Sequence, residues 1–197
     1  MYPSSLEKLI ERFKALPSVG QKTAERYAMA VLEMPDEEAE LFANQIIDVK
    51  KKIKRCSICG NLTEKDVCDI CNSKERDTTT ICVVQQPKDV MVLERIGQYK
   101  GLYHVLHGAI STTKGILPED INISTLYSRL TDEIKEVIIA TNSTLEGDTT
   151  ALYLTKVLRS YPHITVTRLA SGLPMGGNLD YTDDITIMRA MQGRIKQ

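Results

Sequence analysis

The chain has 197 residues, 42% hydrophobic and 26% charged, with 25 Lys+Arg against 26 Asp+Glu and a formal net charge of −1. These figures exclude a disordered, collagen-like or low-complexity polymer, and they leave no whole-molecule field to attract a polyanion, so any hold on phosphate must come from local clusters of cations. The length suits a modest core carrying small appended modules, and with no Trp and only two Phe that core rests on Leu, Ile, Val, Met and Ala.

The stretch from Met1 to Ile10 lacks the basic region and continuous apolar run of a signal peptide, and no later run approaches the roughly 18 apolar residues of a membrane span. A cytoplasmic protein without a membrane partner is expected. From Ser4 to about Arg55 the pattern is helical. Ser4 with Glu7 reads as a capping box, and Leu6, Leu9, Ile10, Phe13 and Leu16 form one apolar stripe that Pro17 stops. A second helix follows the turn Pro17-Ser18-Val19-Gly20, signalled by Ala24, Tyr27, Ala28, Val31 and Leu32 and ended by Pro35. A third opens on Asp36-Glu37-Glu38, which suits a helix N-terminus, puts Phe42, Ile46, Val49 and Ile53 on one face, and ends in lysines and Arg55.

Residues 56–71 are too few to bury an apolar core unaided and carry Cys56-x-x-Cys59 and Cys68-x-x-Cys71. In a reducing compartment two CxxC pairs read as ligands of one tetrahedral, structural Zn²⁺ rather than as disulfides. The redox alternative needs one CxxC beside a thioredoxin-like βαβ unit, and none surrounds this segment. The fifth cysteine, Cys82, reads as a small buried hydrophobe in a strand.

From Thr78 onward strands and helices alternate. Strands are expected at 80–84, 102–106, 136–141 and 164–169, with helices at 87–98, near 124–130 and at 149–161. Such alternation predicts an α/β domain with a parallel sheet covered on both faces. A short helix carrying Ile185, Met188 and Met191 follows.

Two segments carry the candidate chemistry. The first, Leu16 to Arg26, looks like a helix-hairpin-helix motif, in which backbone N–H groups at the second helix's N-terminus, beside Gly20, face a phosphate. Lys22 and Arg26 lie four apart on one face, and Arg12 and Lys14 join them, with Glu25 the only acid between 12 and 26. Ser18 stands where the motif usually has its other glycine, and a plain α-hairpin that packs on a partner chain remains the alternative. The second segment, Ile138 to Asp148, delivers a polar loop with Glu146-Gly147-Asp148 after a hydrophobic strand and resembles the Toprim domain of topoisomerases, primases and some nucleases. In catalytic members a Glu ends the first strand as general acid or base, and paired Asp residues later hold Mg²⁺. Here Gln85 stands in place of the Glu, and Asn142 and Thr144 in place of the two Asp. An amide neither accepts a proton at working pH nor offers a charged ligand. Glu146 and Asp148 remain, as a weak divalent-cation site, as a contact for a basic patch on a partner, or as a solvated acidic turn.

The tail Gly172-Leu173-Pro174-Met175-Gly176-Gly177-Asn178-Leu179-Asp180-Tyr181-Thr182-Asp183 completes a resemblance over the whole chain to the bacterial RecR recombination proteins, which carry a hairpin, a four-cysteine knuckle, a Toprim domain with altered acids and such a tail in this order. The resemblance implies a helix-hairpin-helix region for DNA binding and assembly at 1–55, a zinc finger at 56–71, a Toprim domain at 78–172 and a glycine-rich, Walker B-like segment with a C-terminal helix for assembly at 173–197. It implies a mediator without catalytic residues that binds single- and double-stranded DNA, assembles as a homodimer or ring-like homotetramer, and works near the nucleoid. With RecO-type and RecF-type proteins, such a mediator loads the strand-exchange recombinase on single-stranded DNA. No P-loop occurs in the sequence. The rival readings are a metal-dependent Toprim nuclease or phosphotransferase using Glu146 and Asp148, and a zinc-bearing adaptor that binds only proteins.

Overall fold

Residues 2–194 are described in a computed structural model, and the chain divides into two compact units between Ile53 and Lys54. Ile195, Lys196 and Gln197, the end of the expected C-terminal segment, lie outside the described residues.

The first unit holds helices α1 (Ser4–Lys14), α2 (Gln21–Glu33) and α3 (Asp36–Lys52). Small side chains let α1 and α2 approach: Ile10, Ala24 and Ala28 are buried, and Leu6, Leu9, Phe13 and Val19 pack around them. The capping box expected at Ser4 does not form. Pro3 (φ −56°, ψ 145°) is the N-cap, and Ser4 already lies inside the helix, where a hydroxyl cannot serve as one. The third helix forms with its acidic first turn and basic last turn, but Phe42, Ile46, Val49 and Ile53 are all exposed. Periodicity shows that this face is apolar; it does not supply a cover within the unit.

The second unit begins with a two-stranded antiparallel ribbon, β1 (Lys54–Arg55) against β2 (Leu62–Thr63), and the single turn α4 (Asp69–Asn72). A four-stranded parallel sheet follows, made of β3 (Asp77–Val84), β4 (Gly101–Val105), β5 (Glu136–Ala140) and β6 (Thr165–Arg168) in the order β4-β3-β5-β6. The central strand β3 is apolar on both sides, as a parallel sheet demands. Ile81 and Val83 join Val137 and Ile139 under α7 (Leu145–Leu158), whose Ala151, Leu154 and Leu158 are buried there. The alternate residues Cys82 and Val84 join Tyr103, Val105 and Ala140 under α5 (Pro87–Ile96), through Val90. Each such buried aliphatic side chain contributes on the order of 1.5–3 kcal/mol. The α/β reading with both faces covered is therefore correct, and Cys82 is the expected core residue.

Several boundaries move. Gly97 adopts φ 72° and closes α5, so the helix ends at Ile96 rather than Gln98. Near 124–130 only the turn α6 (Ser124–Tyr127) is helical. More consequentially, α7 starts at Leu145, four residues before the expected Thr149, because Thr144 is an N-cap whose Oγ1 accepts from the Gly147 N–H at 3.1 Å. The last helix, α8 (Asp184–Gln192), is capped by Asp183. No helix among the described residues is long and apolar enough to cross a membrane.

Candidate functional site

The hairpin keeps its turn geometry although one glycine of the pattern is replaced. Ser18 sits at φ 64°, the left-handed conformation a glycine would adopt freely. Gly20, with φ −85°, is the N-cap of α2 and offers no side chain to its first-turn N–H groups, and a methyl group at Gly20 would meet nothing within 4 Å. Lys22 and Arg26 project from the first two turns of α2, both exposed. Arg12 is exposed on α1, while the Lys14 ammonium is 3.1 Å from Glu11 on its own helix.

In the second unit the four cysteines meet as their spacing demands. Their sulfurs lie within 4.8 Å of one another, and Cys56, Cys59 and Cys68 are buried. Backbone N–H groups donate to the sulfurs: Asn61 to Cys59 at 3.4 Å, Cys68 to Cys56 at 3.3 Å and Cys71 to Cys68 at 3.5 Å. Hydrogen bonding with Cys59 holds the Cys68 thiol well below its ordinary value, while the bonds shared with neighbouring cysteines push Cys59 and Cys71 up. Crowded sulfurs therefore resist full ionisation by themselves, and a divalent cation among four thiolates removes that obstacle. The donor set fits one tetrahedral Zn²⁺ with no position left for substrate.

The knuckle is tied to the edge strand by contacts that the sequence did not announce. The Val105 N–H donates to the Cys59 carbonyl at 2.8 Å, and His107 Nε2 donates to the Gly60 carbonyl at 2.6 Å. Gly60 has φ 76°, and a Cβ on it would lie 2.9 Å from Asn122 Nδ2 and 3.0 Å from the Val105 carbonyl oxygen. Behind the same strand, Arg76 pairs with Glu94, and the Tyr103 hydroxyl donates to Glu94 at 2.7 Å. The Arg76 guanidinium is the main reason the Glu94 carboxyl is held below the usual carboxylate range.

At the carboxyl edge of the sheet, buried Gln85 accepts the Asn142 N–H on Oε1 at 2.8 Å and so fastens the end of β3 to that of β5. The position that would carry a general acid or base thus holds a structural amide. Thr141 Oγ1 donates to the Gly147 carbonyl at 2.9 Å, drawing the start of α7 onto the loop. Glu146 and Asp148 lie in the first turn of that helix, not in the loop before it. Asp148 has one carboxylate oxygen engaged by Arg168 and the other by Arg189, and the Arg168 guanidinium is the leading cause that keeps its carboxyl below the usual range. Glu146 is 4.0 Å from the Lys114 ammonium. Any divalent cation at these acids would have to displace cationic groups of this chain. Arg168 and Arg189 lie 20 and 41 residues from Asp148, and no local pattern marks them.

A helical hairpin, a four-thiolate knuckle and a parallel sheet whose central strand ends on the amide of Gln85 follow one another along the chain. Residues 6–50 match the family described as RecR, helix-hairpin-helix, residues 53–73 the RecR four-cysteine zinc finger domain, residues 79–170 the Toprim domain and residues 172–195 the RecR C-terminal family. The chain is 52% identical over 194 residues to a protein of Enterococcus faecalis named Recombination protein RecR, covering 98% of each. Relatives of the same name are 51% identical over 195 residues in Lactobacillus helveticus and 48% identical over 193 residues in Clostridium perfringens, with 97% or more of each chain covered. The chain belongs to the RecR family of recombination proteins, and the cluster of Cys56, Cys59, Cys68 and Cys71, able to hold one metal ion, lies within the segment that matches that family's four-cysteine zinc finger.

Proposed function

We propose that this protein is a DNA-binding mediator of recombinational repair that carries out no catalysis itself and acts with RecO-type and RecF-type partners to load the strand-exchange recombinase on single-stranded DNA. The observation that carries this reading is the hairpin: Lys22 and Arg26 are exposed at the start of α2, beside first-turn N–H groups that no N-cap side chain occupies. Arg12 and the backbone at Gly20 extend the contact, and Lys14 contributes less because Glu11 already compensates it. A subunit of net charge −1 gains little affinity from one such cluster. A homodimer or homotetramer ring lines up several clusters around one strand, and linked contacts multiply affinity. Buried Gln85 supports the non-catalytic part of the proposal, and Glu146 is the acid best placed to meet a basic patch on a partner.

The test is fluorescence anisotropy with labelled single- and double-stranded DNA across a salt series, beside a cleavage assay in Mg²⁺ and Mn²⁺. Charge reversal at Lys22 and Arg26 should weaken binding to every sequence and flatten the salt slope by about 0.9 per lost duplex phosphate contact. Unchanged affinity would make the hairpin an assembly element only. Cleavage lost in Glu146→Ala would establish the nuclease.

A further inference from the structure

The C-terminal helix α8 is bound to the rest of its unit by very little. None of its residues belongs to a buried core cluster. Ala190 approaches Gly172, where a Cβ would lie 3.8 Å from the alanine methyl, and Ile185, Met188 and Met191 face solvent. Among the described residues, the one hydrogen bond or ion pair joining α8 to the Toprim sheet and its helices is that of Arg189 with Asp148. A nine-residue helix is marginal by itself in water, so its order depends on what it is fastened to.

The fastening is built for aim. Arg168, at the end of β6, grips Oδ1 of Asp148 and so leaves Oδ2 directed at Arg189. All three side chains are partly exposed, with Asp148 at 25% and the arginines at 37% and 31%, so the contact is screened by salt and easily exchanged. We propose that Asp148 is the latch of the C-terminal segment: a carboxylate held in place by Arg168 that fixes α8 against its own Toprim domain through Arg189 and, when the pair opens, frees residues 170–194 with their exposed Ile-Met-Met stripe. This assigns the acid to a conformational device and is independent of the DNA-binding proposal.

Hydrogen–deuterium exchange on the full-length, zinc-loaded protein tests it, with the β5 amides and zinc content as controls for intact folding. Asp148→Asn and Arg189→Gln should each raise exchange at 187–192 at least fivefold. The double variant should match either single one, because both remove the same pair. In 1 M NaCl the parent should approach the variants while the variants change little. Three results would each overturn the proposal: parent-like exchange in either single variant, a double variant whose increase is the product of the two, or α8 amides in the parent exchanging at unfolded-chain rates in low salt.

Discussion

Gly147 sets two ordinary rules against each other, and the structure decides between them. It lies in the first turn of α7 with no left-handed φ, so helix propensity alone would have alanine stabilise the protein by up to about 1 kcal/mol. A Cβ at this position, however, would lie 2.0 Å from the Asn142 carbonyl oxygen, 3.0 Å from its carbon and 3.3 Å from its nitrogen. These are backbone atoms, which cannot swing away as a side-chain tip can, so the loop must retreat by more than an ångström. Retreat breaks the Asn142 N–H bond to Gln85 and strains the Thr141 bond to the Gly147 carbonyl. Overpacking costs roughly 1–3 kcal/mol, and each lost hydrogen bond about 1 kcal/mol. After the helix gain is subtracted, Gly147→Ala should destabilise by about 1–3 kcal/mol. Urea unfolding followed by circular dichroism in zinc-containing buffer measures this. Gly20→Ala is the control, since a methyl there meets nothing within 4 Å, and it should change stability by less than about 1 kcal/mol. A Gly147→Ala protein as stable as the parent would refute the steric argument and with it the tight junction of the loop and α7.

Cys59→Ser should release the zinc, unfold 56–71 and speed amide exchange at Val105, whose N–H is held by the Cys59 carbonyl; full zinc content in that variant would refute the ligand assignment. Buried His104 donates from Nε2 to the Asn122 carbonyl and accepts from Arg129 on Nδ1, so it is held neutral. Burial pushes its pKa down to about 4, and the charges of Arg129 and His107 act in the same direction. The unfolded chain takes up this proton near pH 6.5 and the folded chain near 4. Stability from this group is therefore complete above the higher value and is lost as pH falls through the interval, by up to about 3 kcal/mol. Unfolding measured at pH 7.5 and 4.5 should show a smaller loss in His104→Gln than in the parent, and equal losses would refute the assignment.

Features that depend on neighbours along the chain were legible from the residues alone. Two CxxC turns confine four thiolates to one small volume, alternating apolar strands and amphipathic helices specify a two-faced parallel sheet, and Gln85, Asn142 and Thr144 remove the expected acids wherever the loops fall. Pro35, between α2 and α3, was readable for the same local reason. Gly97 and Thr144 also carried readable terminus signals, although helical periodicity did not locate them, which is why α5 and α7 have shifted ends. Pairings between distant residues emerged only with the fold. The chain order does not say that Arg168 and Arg189 close on Asp148, that Arg129 and Asn122 hold His104 neutral, or that the knuckle fastens to β4 through Cys59 and Gly60. A charge acts through the few ångströms around it, and only folding brings residues dozens of positions apart within that range.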